Sequence, residues 1–164
     1  MTRSDFANTA DIRKLVLFLS DDNQCCGRFC EELFNHRAVE GGLRWEAISR
    51  ALQPTTAGKW IYPMSPIAID FLRRRRVRPR NGLRPPLGVT NLDFQVSSVV
   101  VALDERAHRP IVEAAWRPYA DWLRYWQGGI LDVRLPADTF LQLDERIGEL
   151  IEQLGRGREY FDAA

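Results

Sequence analysis

The chain has 164 residues, of which 45% are hydrophobic and 27% charged, the balance expected of a globular domain with a single hydrophobic core. Its formal net charge of +1 excludes a global electrostatic attraction to nucleic acid or to a membrane surface. No apolar run is long enough to cross a bilayer, and the polar residues 1–11 lack the pattern of a signal peptide.

Three cysteines, Cys25, Cys26 and Cys30, fall within six consecutive positions. An odd and crowded set makes a poor disulfide framework, so we predict a protein of the reducing cytoplasm. A metal site made from these thiols and His36 would lack any standard ligand spacing. The sequence therefore predicts no metal and no other cofactor.

The first half of the chain predicts two strands and two helices. Residues 15–19 form a continuous apolar run, typical of a strand buried on both faces, and residues 29–34 then follow a helical period. A weaker strand surrounds residues 45–48. Ser65 and Pro66 have the residue types of a helix start, a capping hydroxyl before a proline.

The second half begins with residues 77–88, whose prolines and arginines predict a loop. The β-branched residues 96–103 predict a buried strand, and residues 111–117 predict a helix that ends at Pro118. A short extended piece is expected near Tyr125. The last helix should end at Gly155, because its apolar residues form one face before that glycine: Phe140, Leu143, Ile147, Leu150, Ile151 and Leu154.

Strands that alternate with helices indicate βαβ units with right-handed crossovers. We therefore predict an α/β fold, a doubly wound four-stranded parallel sheet with helices on both faces. One domain is expected over residues 12–155, with a flexible tail at 1–11 and a C-terminal tail at 156–164. Ligands of such sheets bind beyond the carboxyl ends of the strands, which indicates the loop from Ser20 to Gly27.

The order of several short segments resembles one enzyme family, the low-molecular-weight tyrosine phosphatases with their related arsenate reductases. The first strand, the loop and the next helix are similar to the family's pattern at Val16, Leu17, Phe18, Leu19, Asn23, Cys25, Glu31, Leu33 and Phe34. Residues 90–94 and 99–104 resemble the segment that leads into its third strand. His108-Arg109-Pro110 and residues 120–126 look like a divergent bacterial branch. The resemblance covers roughly residues 13 to 155 and implies a phosphatase fold.

The same loop departs from the family's C-x5-R pattern. The position of the nucleophilic cysteine falls on Ser20, that of the phosphate-binding arginine on Cys26, and the next two positions on Gly27 and Arg28. The family's acidic Asp-Pro is matched only by Asp132 followed by valine. A serine is activated far less readily than a cysteine, whose reference pKa is about 8.5, and it needs an adjacent base.

We predict that no catalytic residue is intact and that the loop acts only in binding, through Asp21, Asp22, Asn23, Gln24, Cys25 and Gly27. Two aspartates should repel a phosphate by about 3 kcal/mol per unit charge pair at about 5 Å. Loop amides and the helix dipole stabilise an anion by only ~0.3–2 kcal/mol. The predicted function is that of a pseudophosphatase, a non-catalytic phosphatase-like protein that binds an unidentified protein or small molecule.

Two other functions stay open. Cys25 could be a substitute nucleophile, or a redox partner of Cys26, in a weak or altered phosphatase or arsenate reductase, although simple packing of these thiols is favoured. Asp132 fits a general acid and an ordinary loop residue equally well. An arginine-rich group could contact nucleic acid, but a solvated helix end is favoured, and nucleic-acid binding is not expected; the group is Arg73, Arg74, Arg75, Arg76, Arg78, Arg80 and Arg84.

An aromatic group near the third helix is expected to form a satellite core, not a binding surface. Its members are Trp116, Tyr119, Trp122, Tyr125 and Trp126. If the helix continued past Pro118, Trp122 and Trp126 would lie on the same helical face.

Overall fold

The computed structural model describes residues 13–54, 62–82, 84–127, 129 and 136–162. In chain order its elements are β1 (Lys14–Ser20), α1 (Cys26–Glu40), β2 (Trp45–Ala51), α2 (Pro66–Arg74), α3 (Asn91–Val96), β3 (Val99–Ala102), α4 (Glu105–Ala115), β4 (Arg124–Tyr125) and α5 (Pro136–Asp162). A single 3₁₀ turn, Arg117–Tyr119, precedes β4. Within the described residues, no helix is both long and apolar enough to cross a membrane.

The four strands form one sheet in the order β2-β1-β3-β4, and every neighbouring pair is parallel. The predicted four-stranded parallel α/β fold is therefore confirmed. Ser20 pairs with Ala51, and Leu19 pairs with Ala102. Because the strands are parallel, the loops that follow β1, β2 and β3 leave the sheet at one common edge.

Helices cover both faces of the sheet because both faces of β1 are apolar. Val16 and Phe18 pack on the side of α1, α2 and α5, where Phe140 of α5 contacts Phe29 and Phe71 with ring centroids 4.8 and 4.4 Å apart. Leu17 and Leu19 face the opposite side, with residues of α3 and α4. Successive strand residues thus serve two different cores, as the unbroken apolar run predicts.

The last helix carries the predicted apolar face, but the stop at Gly155 is wrong. The helix continues to Asp162. A Cβ at position 155 would lie 4.0 Å from Cδ1 of Leu43, so the glycine packs beside the loop after α1 and does not turn the chain. A helical glycine costs only about 1 kcal/mol, which the neighbouring turns readily offset.

The second helix begins at Pro66 as predicted, but Ser65 does not cap it with its side chain. The far end of α2 is tied to the rest of the domain by Asp144 of α5. This carboxylate accepts a hydrogen bond from Arg37 of α1 at 2.6 Å and another from Arg75. The carboxylate of Asp144 therefore joins α5 to α1 and to the C-terminal end of α2.

Two elements of the second half differ from the prediction. The predicted strand 96–103 is shorter in the structure, because Val96 is the last residue of α3 and β3 begins at Val99. The N-terminus of α3 is fixed by a capping box between Thr90 and Asp93. Helix α4 begins at Glu105, with Asp104 as its N-cap, and contains Pro110 in its interior. The helix ends at Ala115, so Pro118 lies in the following 3₁₀ turn.

The aromatic group is divided between the two cores. Trp116 and Tyr119 pack on Phe94, the latter stacked at a centroid distance of 4.2 Å, which matches the expected satellite core. Trp126 lies on the other side of the sheet and contacts Phe18 at 5.9 Å. Trp122 is 51% exposed, so these two tryptophans do not share a face.

Candidate functional site

The segment between β1 and α1 is held from both sides by backbone hydrogen bonds. The carbonyl of Ser20 accepts from Leu52 at 2.8 Å, and that of Asp21 accepts from Gln53 at 2.9 Å. The carbonyl of Gln24 accepts from Ser65 at 2.7 Å. The loop is thus fixed between the end of β2 and the start of α2, where a parallel sheet places its ligand site.

Asn23 gives the loop its turn. Its φ of 60° lies in the left-handed region, which asparagine tolerates better than most residues. The side chain is fully buried and donates to Ser49 Oγ at 2.8 Å. Its Oδ1 accepts from Arg84 and from the Leu87 backbone, both at 3.2 Å. Side-chain hydrogen bonds therefore specify the loop conformation without any bound ligand.

Ser20, the last residue of β1, points its hydroxyl at the first turn of α1. The hydroxyl is buried and has no hydrogen-bond partner within the described residues. A Cβ on Gly27 would lie only 2.5 Å from this oxygen, so the glycine makes room for it. No described contact activates Ser20 as a nucleophile.

The first turn of α1 presents backbone donors to the loop. Within the described residues, the N–H groups of Cys26, Gly27 and Arg28 have no acceptor, and the N-cap residue Cys25 provides no side-chain cap. Open amides and the positive end of the helix dipole favour an oxygen acceptor at this point. These backbone N–H groups are therefore available to a ligand.

The two loop aspartates take different positions. The Asp21 side chain is 55% exposed, and its Oδ1 lies 3.3 Å from Nε2 of His108. This histidine also holds the pKa of Asp21 below the ordinary value. Nδ1 of this buried histidine accepts from the Asp104 backbone, so its proton is on Nε2, facing Asp21. Asp22 accepts from the Gln24 backbone at 3.1 Å. Its negative charge acts directly on the neighbouring thiols.

The thiols differ in their chemistry. Hydrogen bonds from Cys26 and Ser65 lower the pKa of Cys25 against the effects of burial and of Asp22. The pKa of Cys26 is raised well above its usual range by its donation to Cys25 and by burial. Burial also raises the pKa of Cys30. Cys25 is thus the thiol most readily ionised of the three.

A buried charged network supports the loop from behind, and the sequence analysis did not detect it. Arg28 is 0% exposed and donates to the carbonyls of Pro63 at 3.1 Å, Arg84 at 2.9 Å and Asn81. Glu32 accepts from the backbone of Arg80 and Asn81, both at 2.9 Å. Arg28 and Glu32 therefore hold the arginine-rich segment against α1.

Arg84 completes this network. Its guanidinium donates to Glu31 at 2.9 Å and to Ser49 at 3.3 Å, in addition to Asn23. Glu31 in turn accepts from Ser49 at 2.5 Å. The available sequence signal was three charged residues, at positions 28, 31 and 32, in a helix whose neighbours are apolar. Arg84 lies more than fifty positions from Arg28 and from Glu31, so sequence spacing could not identify it as their partner.

The remaining sequence-predicted residues are not brought to the loop by the described structure. Asp132 lies outside the described residues. His36 pairs with Glu40 at 3.2 Å on α1, away from the cysteines' turn. Among the residues that the structure describes, no group of three or more His, Cys, Asp and Glu side chains is arranged to hold a metal ion.

Solved structures with the same fold are low-molecular-weight phosphatases and arsenate reductases. A YwlE mutant from Bacillus subtilis is 19% identical, with a TM-score of 0.69 over 89% of this chain and 99% of its own. The low-molecular-weight protein tyrosine phosphatase from T. tengcongensis is 20% identical, with a TM-score of 0.67 over 88% and 99%. A thioredoxin-dependent arsenate reductase from Corynebacterium glutamicum is 18% identical, with 0.63 over 90% and 65%.

No protein-family model matches the sequence, and no curated protein matches it with significance. The resemblance to the phosphatases is nevertheless confirmed for the fold, over nearly the whole of both chains.

Proposed function

We propose that this chain acts by binding a ligand at the β1–α1 loop and does not transfer phosphoryl groups. The proposal rests on the hydrogen bonds of the two arginines beside the loop. Arg28 is committed to three backbone carbonyls, and Arg84 is committed to Asn23, Glu31 and Ser49. Neither guanidinium is left to hold phosphate oxygens, and Cys26 cannot replace one.

The nucleophile supports the same proposal. Phosphoryl transfer through a covalent intermediate needs an activated group at the base of the loop, and the group at the end of β1 is an unpartnered serine hydroxyl. His108 directs its Nε2 to Asp21 and its Nδ1 to a backbone amide. Nδ1 is thus occupied by a hydrogen bond and Nε2 lies 3.3 Å from the Asp21 carboxylate, so no described contact holds the histidine as a base for Ser20.

The charges of the loop favour a particular class of ligand. Three open amides and a buried hydroxyl can donate to oxygen acceptors, but Asp22 places a negative charge beside them. At about 5 Å each unit of ligand charge costs on the order of 3 kcal/mol at an effective dielectric of ~20. A neutral or singly charged acceptor, such as a carbonyl or carboxylate group, is favoured over a phosphate dianion.

A second candidate function, an altered phosphatase or reductase that uses Cys25, has one observation in its favour. Its thiol has a lowered pKa and is partly exposed. Its position argues against it, since Cys25 is the N-cap residue of α1 and not the residue that ends β1. An attack from this position would have to proceed beside Asp22 without a guanidinium to bind the substrate.

Replacing Asp22 by asparagine tests the role of the loop charge. We expect the wild-type protein to bind inorganic phosphate no more tightly than millimolar, and Asp22→Asn to bind it about 10- to 100-fold more tightly, because one unit of repulsion is removed while the side chain can still accept from Gln24. Amide chemical shifts of residues 20–28 in a phosphate titration would measure both affinities.

Asp70→Asn is the matched control, because Asp70 is partly exposed and pairs with Arg74 on α2. It should leave the phosphate affinity unchanged. If Asp22→Asn had no more effect than Asp70→Asn, the charge of Asp22 would not select the ligand. If acetate and phosphate then failed to shift any loop amide in either protein, the loop would not be an acceptor site at all.

A further inference from the structure

A surface groove lies at the C-terminal end of α2, apart from the β1–α1 loop. It has a volume of about 430 Å³ and is lined by Ile69, Arg73, Arg76, Val77, Arg78 and Pro79. Three of these six residues are arginines and none is acidic. The other three are apolar, so the groove combines cationic side chains with apolar surface.

The arginine-rich segment is divided by the structure into committed and uncommitted members. Arg74 pairs with Asp70 at 2.8 Å, Arg75 binds Asp144 and the carbonyl of Phe71, and Arg84 belongs to the buried network. By contrast, the exposed side chains of Arg73, Arg76 and Arg78 form no ion pair within the described residues. Positive charge is thus concentrated in the groove.

Local backbone geometry brings these three side chains together. Helix α2 ends in a Schellman motif, in which Arg76 donates to the carbonyl of Arg73 at 2.9 Å and Val77 donates to that of Leu72 at 3.0 Å. The residue in the left-handed conformation is Arg76, with φ of 58°, where glycine is usual. The turn reverses the chain, so that Arg78 returns beside the last turn of the helix.

Arginine is an unfavourable residue for the backbone conformation at position 76. A side chain in the left-handed region is strained, and glycine would avoid that strain. The negative end of the helix dipole offsets part of the mutual repulsion of the three cations. Their convergence on one groove without a carboxylate still leaves a site whose electrostatics are completed by an anion.

We propose that Arg73, Arg76 and Arg78 form a second anion site, which takes a small polyanion with two or more phosphate-like groups. The volume suits a compact ligand, because pockets of small molecules begin at about 300 Å³. Nucleic acid is disfavoured, because a backbone-tracking site needs an extended basic stripe, and the neighbouring Arg74 and Arg75 are neutralised. The site is independent of the function proposed for the loop.

Calorimetric titration with inorganic tripolyphosphate tests this site. We expect micromolar binding by the wild-type protein at low salt, and a loss of at least tenfold in the variant Arg73→Gln/Arg78→Gln. Arg74→Gln is the matched control, since it removes a neighbouring arginine that is already paired, and it should change the affinity less than twofold. Unfolding midpoints of all three proteins establish that the fold is intact; if the double variant is unfolded, Arg76→Asn, which suits the left-handed turn, replaces it.

Three results would overturn the proposal. The first is the absence of tripolyphosphate binding below millimolar concentration. The second is binding that survives loss of Arg73 and Arg78 but disappears in a variant of the β1–α1 loop, such as Asn23→Ala. The third is salt-sensitive binding of a single-stranded oligonucleotide of about 20 bases that is tighter than tripolyphosphate binding and is lost in the same variant, because this would make the groove a nucleic-acid contact.

Discussion

The double variant Ser20→Cys/Cys26→Arg is expected to hydrolyse p-nitrophenyl phosphate at less than about 0.01 per second, far below the ~1 per second or more of ordinary enzymes. Adding Asp22→Asn should raise this rate by about 100-fold. The two substitutions supply the thiol and the guanidinium that the resemblance to the phosphatase pattern implies. They leave in place the carboxylate that accepts from Gln24 inside the loop.

Asp22 obstructs the restored site in three ways. It would raise the pKa of a thiol at position 20, because a nearby like charge disfavours the thiolate. Its charge lies close enough to position 26 to raise the pKa of Cys26, so it would compete with the substrate for a guanidinium placed there. It would also repel the negatively charged substrate, and a repulsion of about 3 kcal/mol for one unit charge pair corresponds to the expected factor of about 100.

Asp21, which the sequence analysis placed beside Asp22 as an equal obstacle, should matter less. Its carboxylate faces His108 and solvent. Asp21→Asn is therefore the matched control for Asp22→Asn in the double-variant background, and it should change the rate less than about fivefold. Steady-state rates of the double and both triple variants would decide; a double variant that turns over at ~1 per second, or equal gains from the two asparagines, would contradict this account.

The variant Arg28→Met should lose about 3–5 kcal/mol of unfolding free energy, although methionine fills a similar space. Arg28 is fully buried, and its removal leaves three backbone carbonyls without their donor and takes one of two cations from the side of Glu31, which keeps Arg84. Buried acceptors that lose their donor cost the full desolvation penalty, because water does not replace the lost hydrogen bonds.

Urea denaturation followed by tryptophan fluorescence measures this loss. Arg73→Met is the matched control, because Arg73 is exposed and forms no ion pair within the described residues, so its substitution should change the unfolding free energy by less than about 0.5 kcal/mol. A change below about 1 kcal/mol for Arg28→Met would show that the buried network does not hold the loop segment in place.

The fold was predictable wherever pattern and environment agree. The continuous apolar run of β1 required cover on both faces, and the structure supplies helices on each. The apolar face of α5 was equally clear. Its end was not, because a glycine signals a stop only where the chain turns left-handed, and Gly155 stays in the helix beside Leu43.

Misassigned elements had local signals that were not used. Thr90 and Asp93 have the spacing of a capping box, which would have predicted α3 ahead of β3. Asp104 followed by Glu105 has the pattern of a helix start, which would have placed Pro110 inside α4. In both cases the cap fixes the helix start, and the β-branched residues and the proline do not.

The candidate site was predictable in position but not in construction. Chain order was enough to place the loop after β1, while the departures from the family's pattern at Ser20 and Cys26 stay a prediction. The direction of each charge was not predictable, since it depends on partners distant in sequence. His108 lies 3.3 Å from the Asp21 carboxylate, and the Arg84 guanidinium pairs with Glu31 and is not directed at a ligand.

The central claim, that the loop binds but does not transfer phosphoryl groups, is tested most directly by pre-steady-state hydrolysis of p-nitrophenyl phosphate with the wild-type protein. This substrate has a good leaving group, so the outcome does not depend on Asp132. The account predicts no burst of nitrophenol and no turnover above the buffer rate, with Ser20→Ala and Cys25→Ser indistinguishable from the wild type. A burst that approaches one equivalent of nitrophenol per protein, abolished by Cys25→Ser and retained by Ser20→Ala, would contradict it.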